Sequence, residues 1–196
     1  MATADQRQLH RAALKIASGY ADRINETDLG RPTPCVGWNL GRLLSHMVGQ
    51  HLGFAAAIRD GDAPKSAYLP VRFSRQSWRD SADELIAAFA GADLRGAVLQ
   101  VELHRKRQLP VTVVIGAQLL DTVVHTWDIA RSLGEDFTPS KKLVRPVLRM
   151  AEQIPDTGNR DAPGAAFEHA LLAADTPWHQ TLALLGRNPL LTASPR

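Results

Sequence analysis

Apolar residues return at helical spacing along most of this chain. Leu9, Ala12, Ala13, Ile16, Tyr20 and Ile24 share one face, so the pattern predicts an amphipathic helix over roughly 5–25. Gly30, Pro32 and Pro34 then break the pattern with a loop that carries Cys35 and Gly37. A second helix follows, with Asn39 as N-cap. Leu40, Leu43, Leu44, Met47, Phe54 and Ile58 lie on one arc, and the turn Asp60-Gly61-Asp62 ends it. Residues 61–78 read as loop, with Pro64 and Pro70. Ser81 and Glu84 resemble a capping box that opens a short third helix through Leu85, Ile86 and Phe89, closed by Gly91 and Gly96.

Two β-type runs come next, Ala97–Leu103 and Leu109–Val114, around the basic turn His104-Arg105-Lys106-Arg107. They can pair as a hairpin, with Pro110 pushing the second run to an edge. A fourth helix is predicted over roughly 113–133, with Leu119, Leu120, Val123, Val124, Trp127 and Ala130 on its arc and Gly134 as its stop. Lys141–Ile154 reads as a fifth helix with Pro146 in its first turns. Pro155–Gly164 is a turn-rich linker, Ala165–Leu185 a small closing unit, and the stretch after Gly186, with Pro189 and Pro195, a fraying tail. Four helices with long mixed connections predict a mainly α fold, a bundle with crossovers and a short β element. The expected division is a helical bundle over 1–135 and a small C-terminal extension over 136–196.

Composition narrows the function classes. Hydrophobic residues make up 44% and charged residues 22%, as in a protein with a real core. The formal charge of +3 is small, and the one basic cluster lacks interleaved aromatics, so nucleic acid is not an expected partner. The cluster reads as a solvated turn. A single cysteine excludes an internal disulfide and suits a reducing compartment. No apolar run reaches the roughly 18 residues of a membrane span, and the first residues lack a secretory pattern. A soluble, cytoplasmic protein is expected.

The candidate chemistry sits on the second and fourth helices. Asp121 and His125 are four apart, so a carboxylate and an imidazole can meet one ion from a single rigid element. Gln118, Asp128 and Ser132 share their stripe, which by spacing alone reads more simply as the solvated face of an amphipathic helix. On the second helix, His51 lies within the apolar arc as a core histidine would, while His46 lies at its edge, where a ligand could reach a cleft. Spacing does not choose between them. Trp38 and Trp127 read as core aromatics at helix ends. Asp128 is placed to orient a ring nitrogen of a neighbour. Cys35 could be a ligand or a nucleophile, but its position before the helix favours a small buried hydrophobe.

A resemblance adds to this. Thr33-Pro34-Cys35-Val36-Gly37-Trp38-Asn39 with Leu43-Leu44-Ser45-His46, the run from Asp121 to Arg131 ending at Gly134, and Leu184-Leu185-Gly186-Arg187-Asn188-Pro189 are similar, in that order, to the signatures of the mycothiol-dependent maleylpyruvate isomerase type of DinB-like proteins. The resemblance implies a DinB-like four-helix bundle and one divalent metal, zinc first and nickel next, held by His46, Asp121 and His125. It leaves His51 to packing. It also implies mycothiol or a similar low-molecular-weight thiol as cosubstrate, and an isomerase or S-transferase acting on an electrophilic small molecule. Arg160 or Arg187 could then meet a substrate carboxylate. The sequence departs from the pattern in placing Asp121 where relatives tend to carry Glu, Arg42 where they often carry an acidic residue, and a shorter C-terminal part. A non-catalytic metal-binding sensor or accessory protein, and a scaffold without metal, are the alternatives; a homodimer is open.

Overall fold

The computed structural model describes residues 5–162, 165–172 and 175–190. It is mainly helical with one short β element, as the patterning predicts. Helix α1 (Gln6–Ala21) starts where the Asp5 carboxylate accepts from the Arg7 amide, and it buries His10, Ala13, Leu14, Ala17 and Ala21. Helix α2 (Leu40–Asp60) starts at Asn39, whose side chain accepts from the Arg42 amide at 2.8 Å. It ends at Gly61, which takes the left-handed φ of 89° that a side chain would resist.

Helix α3 (Arg75–Gly91) begins earlier than Ser81 and Glu84 suggested. The capping box is made by Ser74 and Ser77, each hydroxyl receiving the other's backbone N–H. Ser81 lies buried inside the helix and donates to the Trp78 carbonyl at 3.0 Å. Much of the preceding stretch is loop, with a 3-10 turn at Lys65–Tyr68.

The hairpin is shorter than its β-type runs. Strands β1 (Ala97–Val98) and β2 (Leu109–Pro110) pair antiparallel, and no more of either run joins them. Leu99 instead bonds to the Gly61 carbonyl, and the residues from Val111 onward are taken by helix α4 (Val111–Ser132). Residues 104–108 are exposed, as a solvated basic turn should be. Helix α5 (Lys141–Ala151) contains Pro146 and stops short of Ile154. Helix α6 (Pro177–Leu184) is capped by Thr176 and opened by Pro177, whose missing N–H would have been unpaired there.

Two apolar clusters meet at α4. One joins Leu14 of α1, Leu43 and Leu44 of α2, Trp78, Leu85 and Phe89 of α3, and Val114 and Ile115 of α4. The other joins Ala13 of α1, Leu119, Val123 and Trp127 of α4, Leu143 and Val147 of α5, and Trp178 and Leu182 of α6. Helix α4 is therefore covered on nearly every side, and its polar stripe is not solvated: Gln118, Asp128 and Ser132 are all buried. Trp127 is a core residue, whereas Trp38 is only half buried.

The chain does not fray at Gly186. That glycine takes a φ of 75°, and a Cβ there would collide with the backbone of Glu168. The turn delivers Arg187 into the interior, where it is 8% exposed. Gly164 and Pro195 lie outside the described residues. Among those residues, no helix is long and apolar enough to cross a membrane.

Candidate metal centre

Helix α2 supplies His46 nearly two turns beyond its Asn39 cap, and α4 supplies Asp121 and His125 from one face. One ligand atom from each of the three can be chosen so that all lie within 4.8 Å of one another. His125 Nε2 stands 3.3 Å from Asp121 Oδ1. The His46 and His125 rings meet edge to face with centroids 5.5 Å apart. Trp38 packs edge-on against the other side of His46 at 5.0 Å, with the Arg42 guanidinium over the indole.

The far nitrogen of His125 is fixed from behind. Its Nδ1 donates to Asp128 Oδ2 at 2.9 Å, which leaves Nε2 facing Asp121 and His46. Asp128 is fully buried and gripped by Arg187, with Nε 3.0 Å from Oδ1 and Nη2 2.9 Å from Oδ2. Cys35 completes this outer layer: its thiol donates to Asp128 Oδ2 at 3.3 Å and accepts from Arg187 Nη2 at 3.5 Å. Its polar partners, more than burial, define its place, since it is only half buried.

The electrostatics follow from this layout. Burial pushes the His46 pKa down to about 4 against the pull of Asp121, so the ring is neutral near pH 7 with a free lone pair. Burial also works against a charged His125, but Asp121, through its charge and hydrogen bond, and Asp128 outweigh it and hold that pKa well above its ordinary value. Burial would raise Asp121, yet His125 and then His46 keep it below the usual carboxylate range. Asp128 is likewise held down, burial being overcome by Arg187. Two ionised carboxylates face one guanidinium, so the site retains a negative charge that calls for one more cation. A proton on His125 serves, and an ion between the three side chains would serve in its place.

A second trio, Cys35, His125 and Asp128, also comes within coordinating distance. It is a poor cation site, because the Arg187 guanidinium already lies against two of its three members. His51 stands elsewhere: its Nδ1 is 3.1 Å from Ser81 Oγ and its ring meets Trp78 edge to face. Arg160, the other arginine considered for a substrate carboxylate, is spent on the carbonyls of Glu168 and Leu184 at 2.6 and 2.9 Å. Arg187 does meet a carboxylate, but it is the protein's own. Sequence reasoning paired neither Asp128 with Arg187 nor Cys35 with both, because the partners are far apart along the chain; the only available signal was the placing of Cys35 and Arg187 in two of the three family signatures.

Comparison with known proteins agrees with this architecture. Two uncharacterized proteins from strains of Mycobacterium tuberculosis are each 25% identical over 185 residues, covering 93% of this chain and 98% of theirs. The crystal structures of the mycothiol-dependent maleylpyruvate isomerase and of a point mutant of it share the fold. Each superposes with a TM-score of 0.58 at 13% and 12% identity, over 77% of this chain and 68% of that one. Residues 10–130, which contain the bundle and all three candidate ligands, match the family described as the mycothiol maleylpyruvate isomerase N-terminal domain, and the chain belongs to that family.

Proposed function

We propose that His46, Asp121 and His125 hold one divalent ion and that the protein is a small-thiol-dependent isomerase or S-transferase, with mycothiol or a close analogue as the thiol and an electrophilic small molecule as substrate. The observation that carries this reading is the convergence of the three ligand atoms within 4.8 Å, with His125 locked from behind by Asp128. The residues fit an ion on their own chemistry. Asp121 Oδ2 is buried with no hydrogen-bond partner, and His46 is neutral and held in place by Trp38. Two imidazoles and a carboxylate suit zinc first and nickel second. A bound ion supplies Lewis acidity, which stabilises a thiolate near neutral pH and polarises a carbonyl.

The chain's own residues do the rest. Asp128 keeps the His125 proton on Nδ1, so Nε2 presents its lone pair to the site, and Arg187 keeps Asp128 ionised. Trp38 walls one side of His46 and holds its ring in place. No residue is assigned as nucleophile, because the thiol takes that part. A cytoplasmic setting suits this chemistry, since low-molecular-weight thiols stay reduced there.

The test is metal analysis of the purified protein followed by turnover assays with mycothiol and other small thiols against maleylpyruvate and related electrophiles. Stoichiometric zinc or nickel, with thiol-dependent turnover lost on chelation, is the expected result. A protein that carries no divalent ion and regains none on incubation refutes the metal centre. The alternative is a non-catalytic metal-binding sensor, which the same three-ligand site would serve. Metal binding that changes association with a partner, without turnover of any thiol and electrophile pair, would select it.

A further inference from the structure

A cleft of about 690 Å³ opens between the 24–29 segment, the first turns of α2 and the loop that enters α3. That volume is ordinary for a small-molecule site. Ile24, Leu29 and Phe73 give the cleft an apolar side, and Glu26, Arg72 and Arg75 a charged one. It is separate from the metal centre, since none of His46, Asp121 and His125 lines it. Helix α2 contributes Gly41 and Ser45, four apart on one stripe, while His46 stands on the next, turned by about 100° around the helix axis.

The charges of the lining do not balance. Two guanidiniums face one carboxylate, and among the described residues neither arginine is paired with an acid. Arg75 Nη2 spans the rim, donating to the Ile24 carbonyl at 3.2 Å and to Asn25 Oδ1 at 3.3 Å. The Arg72 side chain has no hydrogen-bond partner. The surrounding arginines behave differently. Arg23 and Arg31, which flank the 24–29 segment, and Arg79, one turn along α3, each hold a carboxylate at 2.8 Å. Arg75 also opens α3, whose first turn has no acidic residue, so its charge meets the positive end of the helix dipole uncompensated. Both arginines are exposed, so a ligand can reach them. Two planar guanidiniums with donors to spare, beside a partly apolar concavity, match a carboxylate on an apolar body.

We propose that this cleft binds a small organic carboxylate, its head held by Arg72 and Arg75 and its apolar body packed on Leu29 and Phe73. Phe73 is fixed for this part: its amide donates to Ser45 Oγ at 3.2 Å, which ties the wall to α2. Glu26 is an acceptor for a hydroxyl or amine hydrogen on the ligand. The site stands whether or not an ion occupies the metal centre.

Calorimetry and amide NMR on the full-length protein test the site, with 2-naphthoate as probe. Its neutral counterpart is 2-naphthamide, and inorganic phosphate offers an anionic head without an apolar body. EDTA in the buffer keeps the carboxylate from binding through a metal ion. Naphthoate should bind saturably, with amide shifts confined to residues 24–29, 41–45 and 72–75. Naphthamide and phosphate should each bind at least about tenfold more weakly, and Arg72→Gln and Arg75→Gln should each weaken naphthoate about 10–100-fold, the scale of a lost charge-assisted hydrogen bond. Arg72→Gln should melt as the wild type does, because its side chain holds nothing in the fold. No saturable naphthoate binding, naphthamide or phosphate bound as tightly, shifts centred outside the cleft, or naphthoate affinity that survives both substitutions overturns the proposal.

Discussion

Arg187→Met asks how much of the site depends on one guanidinium. The substitution removes the charge and keeps a long apolar stem in the space. Asp128, with no exposure to solvent, then loses three nitrogen-to-oxygen contacts of 2.9–3.1 Å and the guanidinium that faces it. His125 and the Cys35 thiol remain as its partners. Breaking a buried pair from one side costs about 3–5 kcal/mol, because the surviving charge stays desolvated. For a chain of this size that corresponds to a fall in melting temperature of roughly 6–20 °C. The loss should be partly recovered in Arg187→Met/Asp128→Asn, where no buried charge is left over. Zinc affinity should fall about 10–100-fold in the single variant, because the carboxylate that fixes His125 Nδ1 is no longer held in place. Chemical denaturation beside calorimetric titration reads both quantities. A single variant within about 1 kcal/mol of wild type would show that solvent reaches Asp128 and that the grip of Arg187 is incidental.

Three further outcomes are expected. His125→Ala and His46→Ala should each lose most zinc binding by calorimetry, whereas His51→Ala should lose far less affinity and be less stable by about 2–4 kcal/mol; equal losses in His46→Ala and His51→Ala would undo the choice between the two histidines. Cys35→Ser should keep stoichiometric metal, since the serine hydroxyl can still donate to Asp128, and metal-free Cys35→Ser protein would make the thiol a ligand. His10, buried between Thr122 and Phe89, has its pKa pushed down by burial to about 3 from an unfolded value of 6.5. Its contribution is therefore complete above pH 6.5 and is lost as the pH falls from there toward 3, at about 1.4 kcal/mol per unit. His10→Leu should show a shallower loss of stability in denaturation between pH 6.5 and 5, and an identical slope would rule this out.

Much of the fold was legible because its signals are local. Asn39 and Gly61 bound α2 as a cap and a left-handed stop should, and Gly134, with its φ of 77°, ends α4. The start of α3 was misplaced because its capping box has Ser77 at the position where Glu is the familiar partner, and Ser81 with Glu84 offered a louder imitation. The polar stripe on α4 had two readings because a stripe records only that a face is not purely apolar. Whether it meets water depends on α5, α6 and Arg187, all distant in sequence. The choice of His46 over His51 had the same origin. Both lie near one arc, and only the packing against Trp38 and His125 on one side, and Ser81 and Trp78 on the other, separates them.

The pairing of Asp128 with Arg187 has a consequence for how the chain is made. The two residues are 59 positions apart, and Arg187 comes last. A ribosome therefore releases all four bundle helices while the cation that neutralises their buried carboxylate is still unsynthesised or inside the exit tunnel. Until it emerges, Asp128 must stay hydrated or take up a proton, and α4 cannot settle fully into its place. The turn at Gly186 thus closes the electrostatics of a bundle whose helices were translated well before it.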